Sequence, residues 1–217
     1  MINLYDERYR RPGYYWGKTP SQICYRILQL MPPDRPLRLL DIGCGEGRNA
    51  VFFARNGYRV TAFDTASGGI EKTKQLAAEA GVEIDAFEAD INRFRLCEPF
   101  DVLFSTGVLQ YVPQEERQGL FANYREHTCP GGLNVFSVFV RKPFIARAPD
   151  AESTAHAWLS GELLTYYHDW RIEFCTEEIF DCMSSDVPHQ HAVNRMIGRK
   201  PVQGSDVQPP AGDAGST

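Results

Sequence analysis

Apolar positions along this chain fall into short runs separated by amphipathic stretches. Leu39–Ile42, Tyr58–Asp64, Ile84–Ile91, Phe100–Gly107 and Leu133–Val140 are dense in Val, Ile, Leu and Phe and are bounded by Gly, Pro or Asp. Such runs predict strands buried on both faces. Between them the spacing changes to that of helices. After Ser21, a candidate N-cap, Ile23, Ile27, Leu28, Leu30 and Met31 form one apolar side that stops before Pro32-Pro33. Further helices are predicted over Asn49–Asn56 with Gly57 as the stop, over Ile70–Ala80 with Gly81 beyond it, and over Gln114–Thr128. The inward sides read as Ile70, Lys74, Ala77 and Ala78 in one helix and Leu120, Phe121 and Tyr124 in the other. This alternation predicts an α/β fold, a mainly parallel sheet with helices on both faces.

The candidate chemistry sits where strands end. Leu39-Leu40-Asp41-Ile42 runs into Gly43-Cys44-Gly45-Glu46-Gly47, where absent Cβ atoms let a ligand approach the backbone. The second strand ends in Asp64, about 20 residues past the glycine turn, placed to accept from two ribose hydroxyls. The third ends near Asp90-Ile91, and the fourth runs into Ser105, Thr106 and Gly107, followed by Gln110 and Tyr111. In an open α/β sheet the ligand lies outside these carboxyl ends. A carboxylate at Asp41 repels a pyrophosphate and attracts a cationic ligand end, so the loop favours S-adenosylmethionine, which carries an ammonium and a sulfonium and no phosphate. A nicotinamide-dependent reductase is the rival, since Asp64 suits its ribose too. Against it, Gly43-x-Gly45-x-x-Arg48 puts a bulky side chain where dinucleotide binders need Gly or Ala.

Through Asp41-x-Gly43-x-Gly45-x-Gly47, Asp64, Ala89-Asp90 and the Pro130-Gly131-Gly132 turn, residues 35–140 resemble the class I S-adenosylmethionine-dependent methyltransferases. The aromatic start Tyr14-Tyr15-Trp16-Gly17-Lys18-Thr19-Pro20 and the run Gly45–Ala50 resemble the tellurite-resistance methyltransferase group. The resemblance implies a Rossmann-like, seven-stranded sheet whose last strand, here Val193–Arg199, inserts antiparallel. It implies a backbone approach of Gly43 and Gly45 to the methionine half of the cofactor and of Asp41 to its ammonium. Asp64 then holds the ribose, Asp90 and Ile91 frame the adenine, and Ser105 stands near the methionine end. It also implies methyl transfer to a small soft nucleophile, a chalcogen oxyanion such as tellurite or selenite, or a small thiol. The chain departs from the group at Ile179-Phe180-Asp181-Cys182, where a His-Arg pair is expected.

Residues 1–200 read as one domain: an N-terminal arm and helix (1–34), a cofactor-binding core (35–140) and a C-terminal substrate lobe (141–200). The arm is aromatic and too irregular for a helix, and Tyr15 and Trp16 are candidate lid residues over a sulfonium. Lys142-Pro143-Phe144 and Ala148-Pro149-Asp150 suggest an insertion or lid. Glu162–Tyr167 and Trp170–Cys175 read as strand or short helix. Tyr111, His168 and Arg195 are the candidate catalytic groups, expected to converge with Tyr15 and Trp16 over the methyl. Residues 201–217, rich in Pro, Gly, Ser, Ala and Asp, are expected to be disordered.

A net charge of −5 offers no basic footprint for nucleic acid, and no apolar run approaches the roughly 18 residues of a membrane span. The expectation is a cytoplasmic monomer or homodimer with a small-molecule substrate. The six cysteines form no C-x-x-C pair, so reduced, mostly buried thiols and no disulfides are expected. Cys175, Cys182, His189 and His191 carry ligand chemistry for zinc, but their spacing matches no compact module; packing is the leading reading and no metal is expected. A Cys/His metal-binding or sensing module on the same scaffold is the non-enzymatic alternative.

Overall fold

The computed structural model describes residues 4–149, 155–183 and 187–202. Its strands are β1 (Arg38–Ile42), β2 (Arg59–Asp64), β3 (Ile84–Glu88), β4 (Phe100–Thr106), β5 (Thr128–Val140), β6 (Arg171–Cys182) and β7 (His189–Arg199). They form a seven-stranded sheet in the order β3-β2-β1-β4-β5-β7-β6. β1 to β5 pair in parallel, and β7 inserts antiparallel between β5 and β6. The helices are α1 (Leu4–Tyr9), α2 (Gln22–Leu30), α3 (Arg48–Arg55), α4 (Ser67–Glu79), α5 (Gln114–Glu126) and α6 (Glu162–Thr165).

The continuous apolar runs follow from a core on each side of the sheet. Successive strand residues point to opposite faces, and neighbours divide accordingly: Leu39, Val102, Val135 and Ile197 join one cluster, Leu40, Leu103, Phe136 and Met196 the other. The first cluster packs with Phe53 of α3 and Ile27 of α2; the second packs with Leu120, Phe121 and Tyr124 of α5 and with Trp158, Tyr167 and Trp170.

Several expectations need correction. The third strand stops at Glu88, leaving Asp90 and Ile91 in the following turn. In α4 the buried side is Gly68, Gly69, Ile70, Thr73, Leu76 and Ala77, while Lys74 and Ala78 face solvent. The arm holds a helical turn, α1, which crosses α4 at Gly68 and Gly69: a Cβ on Gly69 would lie 2.6 Å from the Gly45 carbonyl and 2.9 Å from the Tyr9 ring. Arg171–Cys175 and Ile179–Cys182 lie on one long edge strand, β6, whose mostly exposed, acidic sequence carries no apolar run; Trp170 lies just before it in the core. Past the stretch expected to be an insertion or lid, the chain is in the core at Trp158, which is fully buried with Nε1–H donating to the Leu109 carbonyl at 3.2 Å. Asp150 and residues 203–217, and with them most of the expected disordered tail, lie outside the described residues. All six thiols are free, but only Cys24 and Cys44 are buried.

Buried Arg117 on α5 had no sequence signal. Its guanidinium stacks 3.9 Å from the centre of the Trp158 ring and pairs with Glu162 at 2.6 Å, and it donates to the carbonyls of Val112 and Ala157. This cation ties α5, α6 and the returning segment together.

Candidate active site

The strand order reverses between β1 and β4, and the glycine turn after β1 opens at that point. Gly43, Gly45 and Gly47 all have positive φ, at 72°, 57° and 84°, which other residues rarely adopt. The amides of Gly43 and Cys44 donate to the Phe63 carbonyl. Asp64 completes the turn, its Oδ2 accepting from Gly45 N–H and its Oδ1 from Ala66 N–H, both at 2.9 Å. Each of these oxygens keeps a further lone pair for a ligand. Burial raises the Asp64 pKa above its ordinary value.

A cavity of about 1310 Å³ lies over this turn. Its wall includes Gly43, Gly45, Asp64 and Asp90 from the first strand ends, Thr106, Gly107, Gln110 and Tyr111 after β4, and Tyr5, Tyr9 and Trp16 from the arm. The far wall comes from the C-terminal strands: Ser137 and Phe139 on β5, Val193 and Arg195 on β7, Glu178 and Phe180 on β6. These belong on one face because Ser137 stands opposite Arg195 and Phe139 opposite Val193, two residues apart along each strand. Arg195 Nη1 pairs with Glu178 Oε2 at 2.5 Å. Single-ligand pockets run to about 300–1,000 Å³, so this one has room for a nucleotide-sized cofactor and a small acceptor.

Of the candidate site residues, Gly43, Gly45, Asp64, Asp90, Tyr111, Arg195 and Trp16 share this cavity. The others do not line it. Ser105 is fully buried, its hydroxyl donating to the Ile42 carbonyl at 3.0 Å, and Ile91 belongs to the core. Tyr15 sits edge-on behind Trp16, with ring centres 4.7 Å apart. His168 lies on a separate surface recess with Gln118, Phe121, Ala122 and Arg125, and the neighbouring Asp169 is taken by Arg125 at 2.5 Å. The placement of His168 follows from α6, which is tied to α5 by the Arg117–Glu162 pair and buries Leu163 in the same core cluster as Phe121.

Asp41 stands behind the turn, 1% exposed. Burial first, then the neighbouring Asp64, pushes its pKa up to about 7, against the opposing pull of Arg48 and of the Ala50 amide. Its Oδ2 has no hydrogen-bond partner. Of these two carboxyl groups only Asp64 lines the cavity; Asp41 supports the turn from behind instead of standing where a ligand's ammonium would meet it. Gln110 Oε1 and Ser137 Oγ, on the cavity wall, are likewise buried without partners and available to a ligand. The residues present therefore fit S-adenosylmethionine.

Sequence reasoning missed Tyr9 and Glu46. Tyr9 is 5% exposed and covers the turn: a Cβ on Gly45 would lie 3.0 Å from its hydroxyl, which also accepts from Trp16 Nε1–H at 3.0 Å. Burial raises its pKa far above the ordinary value. Glu46 pairs with Lys72 at 2.8 Å and accepts from the Trp16 amide at 3.2 Å, while Arg48 donates to the Trp16 carbonyl at 2.9 Å. The signal available for Tyr9 was its four-residue spacing from Tyr5, which puts both rings on one side of a helical turn. The Cys/His group also differs from expectation. Cys182, His189 and His191 come together with their ligand atoms within 4.8 Å of one another, while Cys175 lies farther down β6, opposite Met196.

A glycine turn at the reversal point, acidic groups at adjoining strand ends and an antiparallel β7 define the class I S-adenosylmethionine-dependent methyltransferases. The inserted β7 separates this sheet from that of dinucleotide-binding dehydrogenases, in which the sixth strand continues in parallel. The chain belongs to the TehB family: the sequence model of Tellurite resistance protein TehB matches residues 5–193. Hemagglutinin 1 of Eikenella corrodens is 30% identical over 169 residues, which cover 76% of this chain and 55% of that protein. The Haemophilus influenzae protein named Probable S-adenosyl-L-methionine-dependent methyltransferase TehB is 27% identical over 151 residues, covering 70% of this chain and 52% of that one. The chain thus spans about half the length of these curated relatives. The crystal structure of TehB from Haemophilus influenzae shares the fold, with a TM-score of 0.71 at 24% identity over 81% of this chain and 62% of that one. No helix among the described residues is long and apolar enough to cross a membrane.

Proposed function

We propose that this protein transfers a methyl group from S-adenosylmethionine to a small soft nucleophile, a chalcogen oxyanion or a small thiol. The observation that carries the reading is the division of one cavity into two walls. The glycine turn with Asp64 and Asp90 forms one wall; Ser137, Phe139, Phe180 and Arg195 form the other.

The bound cofactor supplies an electrophilic methyl on a sulfonium whose departure as a neutral thioether needs no general acid. The chain's own residues then have three tasks. Asp64 and the glycine turn fix the orientation of the nucleoside end. Trp16, Tyr9, Phe139 and Phe180 exclude water, which otherwise hydrates and blunts an anionic nucleophile. Arg195 places a cation beside the acceptor, where charge-assisted hydrogen bonds to an oxyanion are short and strong. Glu178 holds that guanidinium in place and is itself about half exposed, so an anionic acceptor competes with it for Arg195.

Calorimetry with S-adenosylhomocysteine tests the cofactor half; no binding by folded protein at millimolar ligand overturns it. Product assays across tellurite, selenite and small thiols test the acceptor half. Arg195→Gln is expected to lower kcat/KM for the oxyanions more than for thiols, and His168→Ala to leave every acceptor unchanged. Wild-type rates for all acceptors in Arg195→Gln would place the acceptor elsewhere.

A further inference from the structure

The β6–β7 hairpin carries a ligand set that methyl transfer does not use. We propose that Cys182, His189 and His191 form a binding site for a borderline-soft divalent cation of the zinc class. The strand register assembles it. Cys182 stands directly opposite His189 at the end of the ladder, and His191, two residues farther along β7, returns to the same face opposite Phe180. All three side chains are half-buried, with one ligand atom from each lying within 4.8 Å of the others.

The arrangement of the imidazoles goes beyond proximity. His189 Nδ1 lies 2.7 Å from the Val187 carbonyl, which can only accept, so Nδ1 carries the proton and Nε2 offers its lone pair. That Nε2 is aimed at His191 Nε2, 3.0 Å away. Two ligand nitrogens on a tetrahedral zinc, each about 2.0–2.1 Å from the metal, lie about 3.3–3.4 Å apart, so small ring movements suffice to seat a cation between them. A carbonyl fixing the far nitrogen of a ligating histidine is the usual outer support of such sites. The His191 ring is flanked by Phe139 at 4.9 Å and Phe180 at 5.6 Å, which orient it and keep water from that side. The Gln190 side chain donates to Asp181 Oδ1 at 3.0 Å and holds the hairpin register that sets the three ligands. Thiolate and imidazole together select zinc, or cobalt as its spectroscopic stand-in, over magnesium or calcium. Because Phe180, Val193 and Arg195 share that face and line the cavity, the cation would sit beside the acceptor wall, at the hairpin end of the same row.

The test uses untagged full-length protein, stripped with a chelator and titrated with Co²⁺ and then with Zn²⁺ alone. One equivalent of Co²⁺ is expected to give a sulfur-to-cobalt charge-transfer band in the near ultraviolet that Zn²⁺ bleaches. Cys182→Ser is expected to abolish the band, and His191→Gln to weaken Zn²⁺ binding by at least about tenfold, with circular dichroism showing both variants folded. Absence of the band in the wild type overturns the proposal, and needs no variant to do so. An unchanged band in Cys182→Ser overturns it equally, by placing the cation on another thiol. These readouts are independent of cofactor binding and of methyl transfer.

Discussion

Asp41 offers the sharpest quantitative check on the electrostatics of the glycine turn. Its carboxyl is buried beside Asp64 and has a pKa of about 7 against an ordinary 3.8. A difference of about three pH units at about 1.4 kcal/mol each amounts to about 4 kcal/mol. The sign follows from proton binding. Below about pH 4 the group is protonated in both the folded and the unfolded chain, and its contribution is at its best. As the pH rises, the unfolded chain releases the proton first, while the folded chain keeps it to about pH 7. Stability is therefore lost across that window and is flat above it. Asp41→Asn removes the titration and keeps the shape.

The assay is urea unfolding of ligand-free wild type and Asp41→Asn at intervals from pH 4 to pH 8. The stability of the wild type relative to the variant is expected to fall by about 4 kcal/mol from the acid to the alkaline end. Asp64, whose pKa burial also raises, pulls both proteins in the same direction, so the difference between them reports Asp41 together with its coupling to Asp64. Parallel curves, agreeing within about 1 kcal/mol across the range, would show that Asp41 is ionised in the folded protein at neutral pH and refute the reasoning.

Asp64→Ala removes a charged acceptor from the cavity wall and is expected to weaken S-adenosylhomocysteine binding by about 1.5–3 kcal/mol; an unchanged Kd in calorimetry would remove Asp64 from the site. Arg117→Ala strips Glu162 of its partner and Trp158 of its stacked cation, and should destabilise the fold by about 3–5 kcal/mol in denaturant. The paired Arg117→Met, Glu162→Gln variant should recover part of that loss, and equal losses in both would refute the ion-pair account. Gly47→Ala forces a side chain to φ 84° and sets its Cβ 2.9 Å from the Thr73 backbone; a loss of at least about 1–2 kcal/mol is expected in thermal unfolding.

What the sequence disclosed and what it hid divide along the range of the interactions. β1, β2 and β4 were legible because strands buried on both faces must be apolar throughout, and the glycine turn because positive φ is a local demand. Asp64 followed from its chain distance to that turn, and Asp90 from its place just past the third apolar run, two residues beyond the end of β3. Of the edge strand β6 only the first residues were legible, as strand or short helix, since exposed positions and a row of acidic side chains leave the rest without an apolar run. Cys182, His189 and His191 meet only through the β6–β7 register, which a spacing rule drawn from compact zinc modules does not encode. His168 was assigned to the site because it follows β5 in the chain, yet α6 carries it to the opposite side of a core built around Trp158. Arg117 was invisible for a related reason: a charged residue on an amphipathic helix reads as solvated unless its partner, here 45 positions away, is known.

The same division explains why the arm and the turn act together. Tyr9 and Trp16 cover the cavity, yet their hold depends on the turn beneath them: Glu46 receives the Trp16 amide and Lys72, and Arg48 grips the Trp16 carbonyl. Lys72 in turn donates to the carbonyls of Arg11 and Gly13, so a single α4 cation links the turn to two further points of the arm. The Glu46–Lys72 pair is largely buried, with side chains 1% and 16% exposed, so separating it leaves a carboxylate without its partner inside the protein. The arm that covers the cavity is therefore fastened to the same turn that carries Gly45 and Gly47. Arm and glycine turn are joined through Glu46, a residue whose only sequence mark is its place between two glycines.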